Sequence, residues 1–391
     1  MRLLITSHPG LGHVYPAVAV GAVARRRGHQ VAVATARGYQ QWVTDAGLQF
    51  LEAGPDWNIA MDGEIHPWVM MVKEAPPRFV RDLYQIARDW QPDVILREEM
   101  ELAGWIVADA LGIPVATLGL GVNEPAGEFV RGNADGLAQL RAELGAPSDP
   151  TLETIHRYLY LDQYPAGWVP PERRPAGVYH PIGAATLDAE TPKRQPGADG
   201  APYIYVTLGT VFGQQPRLIQ TILDTLGVLD LKGTVTLGRE GQPDAFTAPP
   251  GVAVARFIPQ EQILPRCAAV ICHAGTGTTL GALRYGLPLV LIPMGANQGW
   301  TAELAERAGV ARQVLGEEPT VRPLQGRWAD LETIGVDEVD AALRAVLEDA
   351  AYRHRAAETG RELRERWESG VAVTLLEKLA ATRQPVLADA Q

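Results

Sequence analysis

The sequence predicts a doubly wound α/β protein built from two similar halves. Three observations carry this reading. The chain has 391 residues, more than one ordinary hydrophobic core encloses. A strand running into a Gly-containing turn occurs twice, once from Leu3 and again from Ile204. Along both halves, short apolar runs alternate with helical patterns, as parallel strands crossed by helices do.

Leu3 to Thr6 reads as the first strand. His8-Pro9-Gly10-Leu11-Gly12-His13 follows as a Gly-rich turn. Pro16 is placed at a helix start, where its missing N–H does no harm. Ala17 to Arg27 continues that helix, and Gly28 closes it. Val31–Ala34, Val94–Leu96 and Val115–Thr117 are the next buried strands, with a helix from Leu102 to Leu111. The stretch from Gly54 to Pro77 has weak periodicity but holds Trp57, Trp68 and Met71. Long, apolar, irregular segments of this kind are often binding loops. Aromatic and Met side chains suit an adaptable apolar pocket, and ordinary core packing accounts for each of these three equally well.

The polar, Pro- and Gly-containing stretch from Thr186 to Ala201 reads as a linker. We therefore expect an N-terminal domain over 1–185, a linker over 186–201 and a second domain over 202–371. Residues 372–391 are expected as a C-terminal helix packing back on the first domain. In the second half, strands are expected at Ile204–Thr207, Gly233–Leu237, Val252–Arg256, Ala269–Cys272 and Leu289–Ile292. Tyr352 to Leu379 reads as a charged amphipathic helical region.

Composition excludes several classes. With 46% hydrophobic and 21% charged residues the chain is an ordinary globular one. No apolar run is long enough to cross a membrane. The first strand is too short for a signal-peptide core, so a cytoplasmic protein is expected. A net charge of −11 gives no reason to bind nucleic acid or anionic lipid. Cys267 and Cys272 have no CxxC or Cys/His company and read as small core residues.

The densest chemical signal lies between Phe257 and Gln298. It reads Phe257-Ile258-Pro259-Gln260, Cys272-His273-Ala274-Gly275-Thr276-Gly277-Thr278-Thr279, and Pro293-Met294-Gly295-Ala296-Asn297-Gln298. A buried strand running into a Gly-rich helix start makes an anion site, because the first N–H groups have no intrahelical partner and the helix dipole favours negative charge. Gly275 and Gly277 would let phosphate approach the backbone. Thr276, Thr278 and His273 can add donors. Thr210, after the first strand of this half, can face the same phosphates. A dinucleotide-binding reading fails, since Gly10-Leu11-Gly12 lacks the third glycine and Val33-Ala34-Thr35 lacks the ribose-binding acid.

With these motifs, and with Gly12-His13-Val14-Tyr15-Pro16, the chain resembles the nucleotide-sugar glycosyltransferases of the two-domain GT-B fold (family 1). It is most similar to the bacterial branch acting on macrolide and enediyne antibiotics. The resemblance covers nearly the whole chain. It implies two Rossmann-like domains facing across a cleft, and an inverting transfer of a (deoxy)sugar from a dTDP- or UDP-sugar to a hydroxyl of an apolar small molecule. By that resemblance Gly12 belongs to the donor site. Phe257 stands for a tryptophan that stacks on the nucleobase, and Ile258 bonds the base edge through its backbone. His273, Thr276, Gly277 and Thr278 hold the pyrophosphate, and Asn297 and Gln298 fall on an Asp-Gln pair that contacts sugar hydroxyls. His13 matches the catalytic base and Glu98 its acidic partner. His8, in the same loop, competes with His13; Glu99 and Glu101 compete with Glu98.

Two departures bear on the donor. Asn297 in place of Asp replaces a charge-assisted bond with a neutral one, which suits a deoxysugar. Gly281 stands where plant relatives have a ribose-binding Glu. The sequence has no Asp-x-Asp motif, so no metal and no cofactor is expected. A nucleotide-sugar epimerase or hydrolase, or a non-catalytic nucleotide-sugar-binding partner of another transferase, would share the fold. Oligomeric state, a homodimer included, is left open.

Overall fold

A computed structural model describes residues 1–55, 69–121, 130–187, 202–209, 215–238 and 241–388. The chain divides into two compact units. One is Met1–Leu187 together with Arg366–Gln391, and the other is Asp188–Glu365. Thr186 and Leu187 end the described part of the first unit; the rest of the expected linker lies outside the described residues.

The first unit holds a seven-stranded parallel sheet in the order β3-β2-β1-β4-β5-β6-β7. Its strands are β1 (Arg2–Thr6), β2 (Gln30–Thr35), β3 (Gln49–Glu52), β4 (Val94–Glu98), β5 (Val115–Leu118), β6 (Leu159–Asp162) and β7 (Tyr179–Pro181). In register, Leu4 of β1 lies between Ala32 of β2 and Ile95 of β4. Val94, Ile95 and Leu96 of β4 and Val115, Ala116 and Leu118 of β5 are apolar and buried, because helices cover both faces. The chain turns one way from β1 to β2 and the other way to β4. This makes a topological switch point at the carboxyl ends of β1 and β4, where doubly wound sheets bind ligands.

The second unit repeats the plan with a six-stranded sheet, β10-β9-β8-β11-β12-β13. Its strands are β8 (Tyr203–Thr207), β9 (Lys232–Thr236), β10 (Val252–Ala255), β11 (Ala269–Cys272), β12 (Leu289–Leu291) and β13 (Ala311–Gln313), and every pairing is parallel. Its switch point falls between β8 and β11. A separate antiparallel hairpin joins β14 (Thr320–Arg322) to β15 (Gly326–Trp328).

Two expectations change. The first helix spans Leu11–Arg26, so it begins five residues before Pro16 and encloses it. Pro16 has no N–H to return to the Gly12 carbonyl, a loss that falls in the opening turns of a helix buried along most of its length. The segment read as irregular to Pro77 is helical at its end. A π-turn covers Met70–Glu74 and a helix covers Ala75–Trp90, with Pro76 and Pro77 in its first turn. The helical region read from Tyr352 consists of two helices, Ala350–Glu368 and Val371–Thr382, separated at Gly370 with φ +68°.

That last helix belongs to the first unit. Trp367, Val373, Leu376 and Leu379 join the same core as Leu3, Ile5, Val18 and Leu161. Glu377 accepts from His29 Nε2 at 2.7 Å, and Arg27 donates to Thr374 at 2.8 Å. The unit boundary therefore falls inside the helix Ala350–Glu368, at 365/366, earlier than the expected 371.

Candidate active site

The first cluster grows from the ends of β1 and β4. Arg97, fully buried, donates through one nitrogen to the carbonyls of Glu98 (3.2 Å), Glu99 (2.8 Å) and Glu101 (3.0 Å). It gathers these carbonyls and turns the chain sharply after β4, which leaves the Glu98 carboxylate at the switch point. Oε1 of Glu98 accepts the His8 backbone N–H (3.2 Å), and Oε2 accepts that of Met100 (2.7 Å). Burial would push this carboxyl up, but neighbouring His13, His8 and the Met100 N–H outweigh it and bring it down to about 2. Glu98 is thus an anion at neutral pH.

His13 sits in the first turn of the helix Leu11–Arg26, and its Nδ1 lies 3.2 Å from Glu98 Oε1. The contact is close but falls short of hydrogen-bond geometry. The His13 side chain is 21% exposed, whereas Glu98 is fully buried. One ring edge meets the carboxylate while the residue keeps contact with solvent. His8 differs. It is 1% exposed, its Nε2 donates to the Met100 carbonyl at 3.1 Å, and burial lowers its pKa to about 4. Its ring packs edge-on to His13 and to Phe79. His8 is a neutral wall of the cluster.

The other two acids are committed elsewhere. Glu99 accepts from the Tyr160 hydroxyl (2.5 Å) and the Leu120 N–H (2.9 Å). Glu101 accepts from the Thr6 hydroxyl and from the N–H groups of Ala103 and Gly104, opening the helix Ala103–Leu111. Burial raises Glu101 to about 7. Of the three carboxylates that the sequence left in competition, Glu98 is the one against His13. Gly12 is exposed, with open space where a side chain would stand.

The second cluster sits at the other switch point. β8 ends in Thr207-Leu208-Gly209, and β11 leads into His273-Ala274-Gly275 and the helix Thr276–Arg284. The His273 ring lies between two glycines. A Cβ on Gly209 would come within 2.6 Å of its Nε2, and one on Gly275 within 2.4 Å. Both must be glycine for the ring to fit, and Gly209 also needs its φ of +79°. Burial lowers His273 to about 4, against the pull of the Thr207 backbone, so the ring is neutral and carries one N–H. The helix that follows has no side-chain cap and no acid in its first turn. Its N-terminus therefore keeps its attraction for anions.

Thr276, Gly277 and Thr278 form that first turn. Asn297 Nδ2 donates to Thr276 Oγ1 (3.1 Å), and Gln260 Nε2 donates to Thr278 Oγ1 (3.0 Å). Asn297 and the phosphate-type turn are thus directly linked. Gln298 is turned inward, and its Oε1 accepts from Met294 (2.8 Å) and Gly295 (3.1 Å). It holds the loop together and is 4% exposed. Phe257 is 42% exposed after β10, unusual for so large an apolar ring, and Ile258 beside it is half-buried. Met71 is half-buried in the π-turn. Thr210, Trp57 and Trp68 lie outside the described residues.

Sequence reasoning assigned nothing to Gln260. Its Oε1 lies 3.3 Å from where a Gly281 side chain would begin, so it borders the space left by the missing plant glutamate. Its place in Phe257-Ile258-Pro259-Gln260 was the available signal. Among the described residues no three His, Cys, Asp or Glu side chains gather as a metal site, and no helix is long and apolar enough to cross a membrane.

Comparison with known proteins gives the family. Residues 58–174 match the model of the erythromycin biosynthesis protein CIII-like N-terminal domain, and residues 220–367 match that of its C-terminal domain. The L-demethylnoviosyl transferase of Streptomyces niveus is 29% identical over 79% of this chain and 84% of its own. The elloramycin glycosyltransferase ElmGT of Streptomyces olivaceus is 28% identical over 93% and 94%. Among solved structures, the glycosyltransferase SsfS6 of Streptomyces sp. SF2575, complexed with thymidine diphosphate, superimposes with a TM-score of 0.68 at 24% identity, over 96% of this chain and 99% of that one. Two parallel-sheet units of the GT-B kind, two matched domains of one family and relatives spanning nearly the whole chain lead to one conclusion: the chain belongs to the family 1 natural-product glycosyltransferases, and it is an enzyme that moves a sugar onto a small-molecule acceptor.

Proposed function

We propose that this enzyme transfers a (deoxy)sugar, with inversion, from a dTDP- or UDP-sugar to a hydroxyl of an apolar natural-product acceptor, with His13 as general base. The observation that carries the proposal is the pairing of half-exposed His13 with buried, anionic Glu98 at the first unit's switch point. The carboxylate selects the tautomer with hydrogen on Nδ1. That leaves the Nε2 lone pair to take the acceptor's proton, and the anion stabilises the imidazolium formed. The acceptor oxygen bonds to the anomeric carbon as the bond from that carbon to the diphosphate oxygen breaks, so one displacement inverts the centre. The second unit's site binds the donor. Phe257 offers a face to the nucleobase, and the diphosphate meets the first N–H groups of the helix Thr276–Arg284 and the Thr276 and Thr278 hydroxyls, with the neutral His273 ring between Gly209 and Gly275 shaping this turn. These N–H and hydroxyl groups neutralise the leaving group without a metal ion. Thymidine diphosphate in the solved relative favours dTDP over UDP. We place the enzyme in the cytoplasm, where nucleotide sugars are made.

The test couples binding with turnover. Calorimetry with dTDP, UDP and NAD⁺ should show micromolar binding of at least one diphosphate, in EDTA, and none of NAD⁺. Mass spectrometry of reactions with dTDP- and UDP-sugars and a panel of macrolide and polyphenol acceptors should show a glycosylated product. His13→Ala should fold, bind the diphosphate and lose transfer by at least ~10²-fold. Full activity in that variant would end the base assignment. Sugar nucleotide consumed without any acceptor would mean a hydrolase.

A further inference from the structure

The hairpin β14–β15 packs its backbone directly on the loop that carries Asn297. The Trp300 N–H donates to the Gln325 carbonyl (2.7 Å), and the Ala329 N–H donates to the Pro293 carbonyl (2.7 Å). At Gly299, just after the loop, a side chain would meet Arg327 and Gln325 backbone atoms at 2.6 Å. At Gly326, on the hairpin, one would meet Gly299 at 2.4 Å. Main chain touches main chain, so the hairpin cannot shift without moving the loop. One side chain reaches further. Trp328 Nε1 donates to the Ala296 carbonyl at 3.2 Å, and the Arg322 guanidinium lies over the indole, 5.0 Å from its centroid.

Ala296 is the residue before Asn297, and its φ is +51°. The left-handed region is unfavourable for a residue with a Cβ, and such residues persist where neighbours over-determine them. Here the neighbours are two. Gln298 Oε1 ties the N–H groups of Met294 and Gly295 on one side. The Trp328 indole holds the Ala296 carbonyl on the other. Without the indole bond, the Ala296 peptide can relax and swing Asn297 with it.

We propose that the β14–β15 hairpin is a donor-specificity element, and that Trp328, by bonding the Ala296 carbonyl, is a positioning residue that sets where Asn297 meets the donor's sugar. This rests on the reading of the Asn297 loop as the sugar contact. Asn297 also bonds the Thr276 hydroxyl, but the phosphate turn has supports of its own, namely the helix Thr276–Arg284, Gly209 and Gly275 around His273, and Gln260 on Thr278. The hairpin therefore acts on the sugar more than on the nucleotide. A residue that merely supported the fold would weaken both.

The experiment compares affinities for dTDP and dTDP-glucose, and for UDP and UDP-glucose, in wild type, Trp328→Phe and Arg322→Ala, with thermal melts alongside. The readout is the ratio of the two dissociation constants within each pair. Trp328→Phe keeps the ring and loses the N–H. It should change the ratio about three- to tenfold for the pair that binds, with a smaller change for the bare diphosphate. Arg322→Ala, which frees the indole to tilt, should change it in the same direction by less, and it carries the test should Trp328→Phe fail to fold. An unchanged ratio, a parallel loss of both affinities, or a wild-type ratio of one for both pairs overturns the proposal alone. Wild type binding neither dTDP nor UDP would instead overturn the donor-site reading, and the hairpin's role with it.

Discussion

Replacing Gly277 by alanine should make the protein more stable and a poorer binder at once. Gly277 is the second residue of the helix Thr276–Arg284, and a Cβ there meets nothing within 4 Å. The fold gives no reason for glycine at this position. Alanine in a helix is favoured over glycine by up to about 1 kcal/mol, less in a first turn, so roughly 0.5–1 kcal/mol of stabilisation is expected. For a unit of this size that raises the midpoint by about 1–4 °C. The same open space is where a diphosphate oxygen would approach the Gly277 N–H. A methyl group there displaces the ligand and costs one hydrogen bond to a charged group, worth about 1.5–3 kcal/mol, so dTDP or UDP should bind about 10- to 100-fold more weakly. Differential scanning fluorimetry without ligand and calorimetry with dTDP and UDP measure both halves. Affinity within twofold of wild type would refute the placement of phosphate on this turn. A lowered midpoint would refute the open space itself.

Glu98→Gln should reduce kcat by about 10²–10⁴-fold while leaving dTDP and UDP affinity unchanged, because the amide cannot select the same His13 tautomer. Both Glu98 oxygens accept a backbone N–H, and an amide has only one oxygen. One N–H must then face an NH₂ group, at a cost of about 1–3 kcal/mol in urea unfolding; a kcat within threefold of wild type would rule out the Glu98 role. Glu101→Gln should change how stability depends on pH. Burial first, and the Glu98 charge with it, raise Glu101 from 4.5 to about 7 in the folded state. Its contribution is therefore fully present below pH 4.5 and is lost as pH rises to about 7. That loss amounts to about 3 kcal/mol at most, from about 1.4 kcal/mol per pKa unit. Relative to wild type, Glu101→Gln should gain up to that much between pH 4.5 and 8 in urea titrations, and a constant difference across that range would contradict the assignment.

The strands flanking each switch point were legible in the sequence because parallel strands buried on both faces read as continuous apolar runs, as Leu3–Thr6 and Ala269–Cys272 do. The short strands Leu159–Asp162 and Tyr179–Pro181 were not, since each is only three or four residues and one ends in proline. The start of the first helix was misplaced because Gly10 and Gly12 signal a turn locally. The packing that makes Leu11–Arg26 helical is tertiary, with Val14, Val18 and Ala19 in the core beside Leu3 and Ile5. At the site, the family resemblance pointed to His13 and Glu98 but left three acids in competition. Thr6, Tyr160 and the helix Ala103–Leu111 remove two of them through contacts that no local pattern encodes. Arg97 and Trp328 were silent for the same reason, since a buried arginine and a half-buried tryptophan acquire meaning only from the carbonyls they reach.

The return of the last helix to the first unit has a consequence for the order in which the protein is made. Leu376 and Leu379 fill the core around Leu3 and Ile5, so the strand Arg2–Thr6 waits for residues translated after the whole of the second unit. The second unit, Asp188–Glu365, is contiguous in sequence and can close its own core while the first is still missing a side. Domains fold as units during synthesis, usually from the N-terminus onward. In this chain the unit carrying His13 and Glu98 is completed after the second, and until then an apolar face beside Leu3 and Ile5 stands open to chaperones.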